Sequence, residues 1–183
     1  MAGHADQSLS ILEDPSADEK RLLSTFAYEQ NDAVLHRDEK LMPVLGQVWS
    51  SWNYLADNDQ QGSKVSVSYW MNSLQHLPCS EQIVVTLNPL REPRKHLVYK
   101  QFSYQHPVFD DAALDAQKHL WSLQGTQRTW FCGSYFGYGF HEDGIQSGLA
   151  VAEQLGGSPR PWSAENASGR IHVSTPDALT AAA

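Results

Sequence analysis

The order of hydrophobic and polar residues predicts helices near both ends of the chain. Asp6–Leu12 has a short helical pattern, and the capping box Ser16-Ala-Asp-Glu19 starts a helix that turns Leu22, Leu23 and Phe26 inward. A later helix is predicted from Asp110 to Leu123. Its core stripe consists of Ala113, Ala116, Leu120 and Leu123.

The middle of the chain has the period of strands instead. Val65, Val67 and Tyr69 alternate with Ser66, Ser68 and Trp70, which is typical of a half-buried strand. Similar runs follow one another at hairpin spacing, so the sequence predicts an α+β fold with a mixed, largely antiparallel sheet. The predicted strands are Ala27–His36, Gln47–Leu55, Lys64–Met71, Ile83–Leu87 and Leu97–Tyr104.

A stretch from Thr129 to Leu155 predicts a strand, a glycine-aromatic loop and a helix. Thr129–Cys132 has the composition of a buried strand, and Asp143 is the expected N-cap of the helix. One face of that helix carries Ile145, Gly148, Leu149, Ala152 and Leu155. The N–H groups and positive dipole end at the start of a helix suit an anionic or electron-rich ligand. An ordinary strand–helix corner is the alternative interpretation.

Composition narrows the class of protein. Of the 183 residues, 41% are hydrophobic and 19% are charged, which is typical of a globular domain. The net charge of −8 argues against a surface for nucleic acid, and no apolar run is long enough to span a membrane. Cys79, Cys132 and the eight scattered histidines show no metal-ligand spacing, so we expect no metal site. The two cysteines do not suggest a disulfide framework, so we expect a cytoplasmic protein.

Five runs of residues are similar to a known enzyme superfamily. They are Trp49-Ser-Ser-Trp-Asn-Tyr54, Tyr69-Trp-Met-Asn72, Thr86-Leu-Asn-Pro89, His106-Pro-Val-Phe-Asp110, and Phe131-Cys-Gly-Ser followed by Glu142-Asp-Gly-Ile-Gln-Ser-Gly-Leu-Ala-Val-Ala. The last of them resembles the C-terminal flavin-contacting signature of flavin-containing amine oxidases and their relatives. The resemblance is closest to a bacterial family of predicted NAD/FAD-binding oxidoreductases within that superfamily, and it runs from His4 to about His172.

The resemblance implies a substrate-domain sheet with flanking helices, followed by the closing strand and helix of a truncated FAD-binding domain. It assigns residues 1–25 to the junction of the two domains, 26–109 to the sheet, 110–157 to the return into the FAD-binding domain, and 158–183 to a mobile tail. The dinucleotide fingerprint Gly-x-Gly-x-x-Gly occurs nowhere in the chain. Its absence predicts a C-terminal fragment, a split subunit or a truncated reading frame.

The resemblance also implies a set of cofactor contacts. Gly133 and Ser134 would approach FAD. Asp143 would cap a helix whose Gly144 and Ile145 N–H groups face the pyrimidine edge of the flavin. Many relatives carry an acidic residue directly after the glycine, and this chain has serine there.

Catalytic and substrate contacts are implied as well. His141 matches a tyrosine of the aromatic cage in monoamine oxidases, which makes it a candidate substrate contact or base. A histidine bonded to loop backbone is the alternative. Lys100 is the candidate for a lysine that reaches flavin N5 through water. The predicted substrate contacts are Trp49, Trp52, Asn53, Tyr69 and Tyr138, with packing as the alternative, and Tyr135, Phe136 and Phe140 are either core or cage.

The expected function is oxidation of a C–N or C–C bond in a small-molecule or lipid-like substrate, with hydride transfer to FAD. The alternative is a non-catalytic fragment, or one subunit of a split flavoenzyme that needs a separate Rossmann-type FAD-binding chain. Under that alternative the chain does not retain FAD alone, and a surface that would pack on the partner chain is exposed and apolar.

Overall fold

The computed structural model describes residues 1–59, 62–158, 161, 165 and 169–173. Within them the chain is α+β, and its five strands form one open antiparallel sheet in the order β2-β3-β4-β1-β5. The predicted fold class is confirmed at that level. The helices are α1 (Ala5–Ile11), α2 (Ala17–Leu23), α3 (Met71–Gln75), α4 (Asp111–Gln117) and α5 (His141–Gln154). The strands are β1 (Ala27–His36), β2 (Trp52–Asp59), β3 (Gly62–Trp70), β4 (Val84–Leu87) and β5 (Val98–Val108).

The chain divides into two compact units. The helical unit comprises Met1–Glu29 with Pro107–Ala183, and the sheet unit comprises Gln30–His106. Each unit has its own set of buried side chains.

The helical unit is built on capped helices around an apolar core. Ser16 caps α2 by accepting a hydrogen bond from the Glu19 N–H, and the Glu19 carboxylate accepts one from the Ser16 N–H. Asp110 caps α4 in the same way, through the Ala113 N–H. Both helices turn apolar side chains into one cluster. Its fully buried members include Ala5, Leu22, Leu23, Ala113, Leu120, Phe131, Tyr135 and Phe136.

Three antiparallel ladders fix the register of the sheet unit. Strand β3 pairs with β2, with Tyr54 opposite Val67, and with β4, with Ser68 opposite Thr86. Strand β4 also pairs with β1, which places Val34 opposite Thr86. Residues directly opposite each other lie on the same face, so these pairs decide what each face of the sheet presents.

Two predicted strands differ from the structure. Thr129–Cys132 forms no strand, because the Gln124 side chain bonds the N–H and the C=O of Phe131 at 2.8 and 2.7 Å. The backbone is therefore satisfied without a sheet partner. The strand expected at Gln47 begins only at Trp52, and Gly46–Val48 forms a 3-10 turn instead.

The segment predicted as a mobile tail, 158–183, lies largely outside the described residues. Its described part includes 169–173, where Ile171 is buried in the core cluster and Arg170 bonds a helix of the same unit. The two residues at the tip of the predicted hairpin, 60 and 61, also lie outside the described part. The pairing of Asp59 with Gly62 confirms the hairpin itself.

Truncation of a leucine in the helical core tests this packing. Leu23 is fully buried, whereas Leu114 on α4 is 41% exposed. We expect Leu23→Ala to lower the free energy of unfolding by about 2–5 kcal/mol because it leaves a cavity. The matched change Leu114→Ala should cost about 0.5 kcal/mol or less. Denaturant titration of both variants measures the difference, and equal losses would contradict the described core.

Candidate functional site

Helix α5 begins three residues before the position that the sequence predicted. Phe140 is its N-cap and Asp143 is its third residue, with Asp143 Oδ2 accepting the Phe140 N–H at 2.8 Å. The prediction that Asp143 is the N-cap is therefore wrong. A carboxylate at this third position reaches back to the first backbone donor, which is the acidic half of a capping box.

This shift also moves the free donors of the helix. The Gly144 N–H donates to the Phe140 C=O at 3.3 Å, so it is an ordinary helical hydrogen bond rather than an open donor. The first N–H groups of α5, which have no carbonyl one turn earlier, belong to His141 and Glu142. The expectation that the Gly144 N–H is an open donor is therefore wrong. Ile145, whose N–H was also expected to face the flavin, lies one residue further into the helix.

The fully buried carboxylate of Asp143 is paired with Arg170. Arg170 Nε lies 2.6 Å from Asp143 Oδ1 and Nη2 lies 3.3 Å from Oδ2. The Arg170 guanidinium also lies over the rings of Tyr138 and Phe140, at 5.1 and 5.5 Å from their centroids. Arg170 thus neutralises a buried charge and joins the aromatic loop to the start of α5. Sequence reasoning missed Arg170 because no periodic pattern surrounds it.

Two loop glycines are required by close internal contacts. A Cβ on Gly137 would lie 2.5 Å from Asp143 Oδ1, and one on Gly133 would lie 2.8 Å from the Tyr135 ring. The hydroxyl of Ser147 accepts the Gly133 N–H at 3.0 Å and lies 3.1 Å from the Gly133 C=O. The protein itself therefore occupies the space beside Gly133 that the resemblance reserves for FAD.

The loop aromatics separate into a buried and an exposed pair. Tyr135 and Phe136 belong to the core, and burial raises the pKa of Tyr135. Tyr138 and Phe140 are exposed, as is His141 at the first position of α5. Ser134 opens a 3-10 turn, and its carbonyl accepts the Gly137 and Gly139 N–H groups, both at 3.1 Å.

Helix α5 buries its polar side and exposes much of its apolar side. The buried residues are Asp143, Gln146, Ser147, Ala150 and Val151. The predicted apolar face, which we call the α5 stripe, consists of Ile145, Gly148, Leu149, Ala152 and Leu155. Ile145 and Leu155 are 56% and 57% exposed, and a Cβ on Gly148 would meet no atom within 4 Å. The α5 stripe is thus largely exposed at Ile145, Ala152 and Leu155, and Leu149 is half-buried.

The sheet shows the same inversion, in which polar side chains are buried and apolar or aromatic ones are exposed. One face, called the aromatic face, carries Trp52, Tyr54, Val65, Val67, Tyr69, Val85 and Leu87. Trp52 packs edge-on against Tyr69 at 5.9 Å between centroids, yet Trp52 and Tyr54 are half or more exposed. The opposite face, called the polar face, is buried. It carries the buried polar residues His36, Asn53, Ser66, Ser68 and Thr86, together with the buried Val34 and Val84 and the half-buried Trp70.

Hydrogen bonds on the polar face run in one direction. The Asp38 N–H donates to His36 Nδ1 at 3.0 Å, so Nε2 carries the imidazole proton and donates to Thr86 Oγ1 at 2.7 Å. Thr86 Oγ1 then donates to Ser68 Oγ at 2.8 Å, and Ser68 donates to the Leu41 C=O. Burial lowers the pKa of His36, although the nearby Asp38 charge opposes the shift.

Asp38, whose N–H is the first donor in this series of hydrogen bonds, is itself held by further partners. Its carboxylate accepts the Arg94 N–H at 2.9 Å and pairs with the Arg94 guanidinium, Nη2 to Oδ1 at 2.7 Å. This guanidinium holds the pKa of Asp38 well below its usual range. The only sequence signal for the polar face was the alternation of Ser66 and Ser68 with valine and tyrosine, which did not indicate which side is buried.

The predicted substrate contacts of the sheet unit do not form one set. Trp52 and Tyr69 share the aromatic face, whereas Asn53 is buried on the polar face, where its amide donates to the Ser50 C=O. Trp49 packs edge-on against Trp70, and its Nε1–H donates to the Pro43 C=O.

The candidate catalytic residues are both exposed. Lys100 lies on β5 with Nζ 4.9 Å from the centroid of the Phe102 ring. His141 belongs to the helical unit, and Tyr138, the last predicted substrate contact, lies beside it in the loop.

Comparisons with known proteins add no relative. No protein-family description matches the chain, and no curated protein is significantly similar to it. Among the described residues, no three His, Cys, Asp or Glu side chains are grouped as metal ligands. None of the described helices has the length and apolar character needed to cross a bilayer.

The neutral imidazole of His36 predicts a pH dependence of stability. Because burial lowers its pKa, the unfolded chain binds a proton near pH 6.5 that the folded chain does not. The contribution of His36 to the free energy of unfolding is therefore complete above about pH 6.5. It is lost as the pH falls toward the pKa that His36 has in the folded state, with a slope of at most about 1.4 kcal/mol per pH unit. Asp38 adds a loss at lower pH, below about 3.9, because its folded pKa is depressed.

Urea titrations between pH 7 and 5 measure this slope. We expect His36→Gln to flatten it, because glutamine cannot take up the proton. The control His96→Gln changes an exposed histidine of the same unit and should leave the slope as it is. A wild-type slope that survives His36→Gln would show that His36 is not the group responsible.

Proposed function

We propose that this chain forms the C-terminal portion of an FAD-dependent, amine-oxidase-like oxidoreductase. The observation that carries the proposal is the exposed loop–helix edge at the start of α5, within the run that resembles the flavin-contacting signature. There the rings of Tyr138 and Phe140 stand exposed beside the Arg170 guanidinium. An aromatic edge beside a helix N-terminus suits a planar, electron-rich ring.

The residues fit one end of FAD better than the other. The first N–H groups of α5, from His141 and Glu142, and the exposed side chains of Tyr138, Phe140 and Ile145 would contact the isoalloxazine. At Gly133, the described residues leave no comparable cradle for the ADP half, because Tyr135 and Gly3 fill the space where its Cβ would lie. The sequence also lacks the Gly-x-Gly-x-x-Gly loop that holds a pyrophosphate.

In this proposal bound FAD would take a hydride from a C–H bond of the substrate as the adjacent C–N or C–C bond is oxidised to a double bond, with a proton lost from the neighbouring N–H or C–H. The protein's part is to bind and orient. His141, which is exposed at the first position of α5, would contact the substrate or accept its proton. Lys100 stays a prediction for the lysine that reaches flavin N5 through water. The expected substrate stays a small-molecule or lipid-like compound, and within the sheet unit Trp52, Tyr54 and Tyr69 form a partly exposed aromatic surface of their own.

A second candidate function is favoured by the exposed apolar surfaces. The α5 stripe has open space at Gly148 and a largely exposed leucine at its end. Unpartnered apolar surfaces of this kind are typical of protein interfaces. The chain would then be one subunit of a split flavoenzyme, or a non-catalytic fragment. A separate Rossmann-type chain would supply the ADP-binding half of the FAD site.

Addition of FAD to the purified chain tests the first candidate. We expect the protein to retain flavin through gel filtration and to show its visible absorbance. We expect Ile145→Glu to weaken FAD binding by at least about tenfold, since it places a negative charge beside the proposed pyrimidine edge.

The control Leu155→Glu adds the same charge at the other end of α5, where the side chain is equally exposed. It should bind FAD as the wild type does. A colourless wild-type protein that takes up no FAD would contradict the first candidate and leave the second. Equal weakening by both variants would contradict the proposed position of the flavin.

A further inference from the structure

The sheet unit contains a cavity of about 260 Å³ on the side of the polar face. Its floor is formed by β2 and β3, and its walls come from the segment after β1 and the loop after β4. The lining residues are Lys40, Leu41, Met42, Pro43, Val44, Leu55, Ala56, Ser66, Leu90 and Arg91. None of the sequence motifs discussed above assigns a role to this cavity.

Most of the lining residues are apolar, although about half of the cavity surface is polar and Val44 is fully exposed, and two cations belong to the lining. Leucine, methionine, proline, valine and alanine make up most of the wall, and the set contains no acidic residue. Lys40 and Arg91 are both exposed. Neither makes an ion pair with any side chain in the described part of the protein. Lys40 and Arg91 are thus the charged residues of the lining, and both are cations, whereas the adjoining Glu39 and Glu92 do not line the cavity.

The walls are held in place by the buried hydrogen bonds of the polar face. Asp38 accepts the Lys40 N–H on one side and the Arg94 N–H on the other, and so ties together the two segments that carry the cations. Ser68 donates to the Leu41 C=O and Ser66 donates to the Leu87 C=O. The cavity is therefore pre-formed, which lowers the entropic cost of binding.

We infer that this cavity binds a small amphipathic carboxylate. The apolar interior takes the hydrocarbon part, and Lys40 and Arg91 bind the carboxylate at the mouth. The volume lies just below the usual lower limit of small-molecule sites, so the ligand has on the order of ten non-hydrogen atoms. A straight-chain carboxylic acid of medium length has this size and this division between apolar and charged parts.

This inference does not depend on the proposed flavin chemistry. The cavity, its cations and its hydrogen bonds all belong to the sheet unit, and binding of the acid requires no FAD. A chain that takes up no flavin can therefore still bind the carboxylate, and the two proposals fail separately.

Titration of the full chain with octanoate, followed by two-dimensional amide NMR, tests the inference. We expect saturable shifts at the cavity residues, including Leu41, Val44 and Leu90. The same titration with 1-octanol, which has the same chain and no charge, should bind at least about tenfold more weakly because the cations then have no anion to bind. Octanol binding as tight as octanoate binding, or shifts spread over the whole surface, would overturn the inference.

Variants locate the two parts of the site. The double change Lys40→Gln with Arg91→Gln should weaken octanoate at least about tenfold and leave octanol unchanged. The matched control, Lys20→Gln with Lys95→Gln, removes two exposed cations outside the cavity and should bind octanoate as the wild type does. Equal weakening in both doubles would contradict a specific site.

A third variant, Leu90→Trp, fills the cavity while keeping both cations. It should abolish binding of octanoate and of octanol, with circular dichroism showing that the fold is retained. Unchanged octanoate binding by a folded Leu90→Trp protein would place the acid outside the cavity and overturn the inference.

Discussion

The hydrogen-bonded polar face of the sheet determines how the sheet unit is arranged. His36, Thr86 and Ser68 are buried, so each needs a partner, and they find one another at 2.7 and 2.8 Å. Those partners meet only in the observed register, because a slip of one residue would send every side chain to the other face. Burying this face leaves the aromatic face outward, and it also builds the walls of the cavity on its own side.

A buried charge has the corresponding role in the helical unit. The Asp143 carboxylate accepts the N–H of Phe140, the N-cap of α5, and binds the Arg170 guanidinium, and it requires glycine at position 137 for space. Removal of the Arg170 guanidinium would leave the buried Asp143 carboxylate without its partner, which is costly for a buried charge. Because Asp143 and Ser147 face inward, the apolar residues on the opposite side of α5 face outward. Both units thus expose apolar surface as a consequence of buried polar groups.

Local patterns were sufficient to predict much of the fold. The capping box at Ser16 and the strand Ala27–His36 were predicted at their observed positions, since both depend on neighbouring residues. The inward side of β3 and the start of α5 could not be predicted, because they depend on distant partners, Thr86 for Ser68 and Arg170 for Asp143. The strand predicted at Thr129–Cys132 was wrong for the same reason, because the Gln124 side chain bonds the backbone of Phe131 there.

The inversion of the sheet, with polar residues inward and aromatic residues outward, can be tested by cysteine labelling. In a background with Cys79→Ser and Cys132→Ser, Tyr54→Cys replaces a side chain that is 65% exposed, and Ser68→Cys replaces one that is fully buried. We predict that the thiol at position 54 reacts with a maleimide at nearly the rate of a free thiol, and that the thiol at position 68 is protected by at least about a hundredfold. The reverse order of rates would contradict the inversion and the cavity built on it.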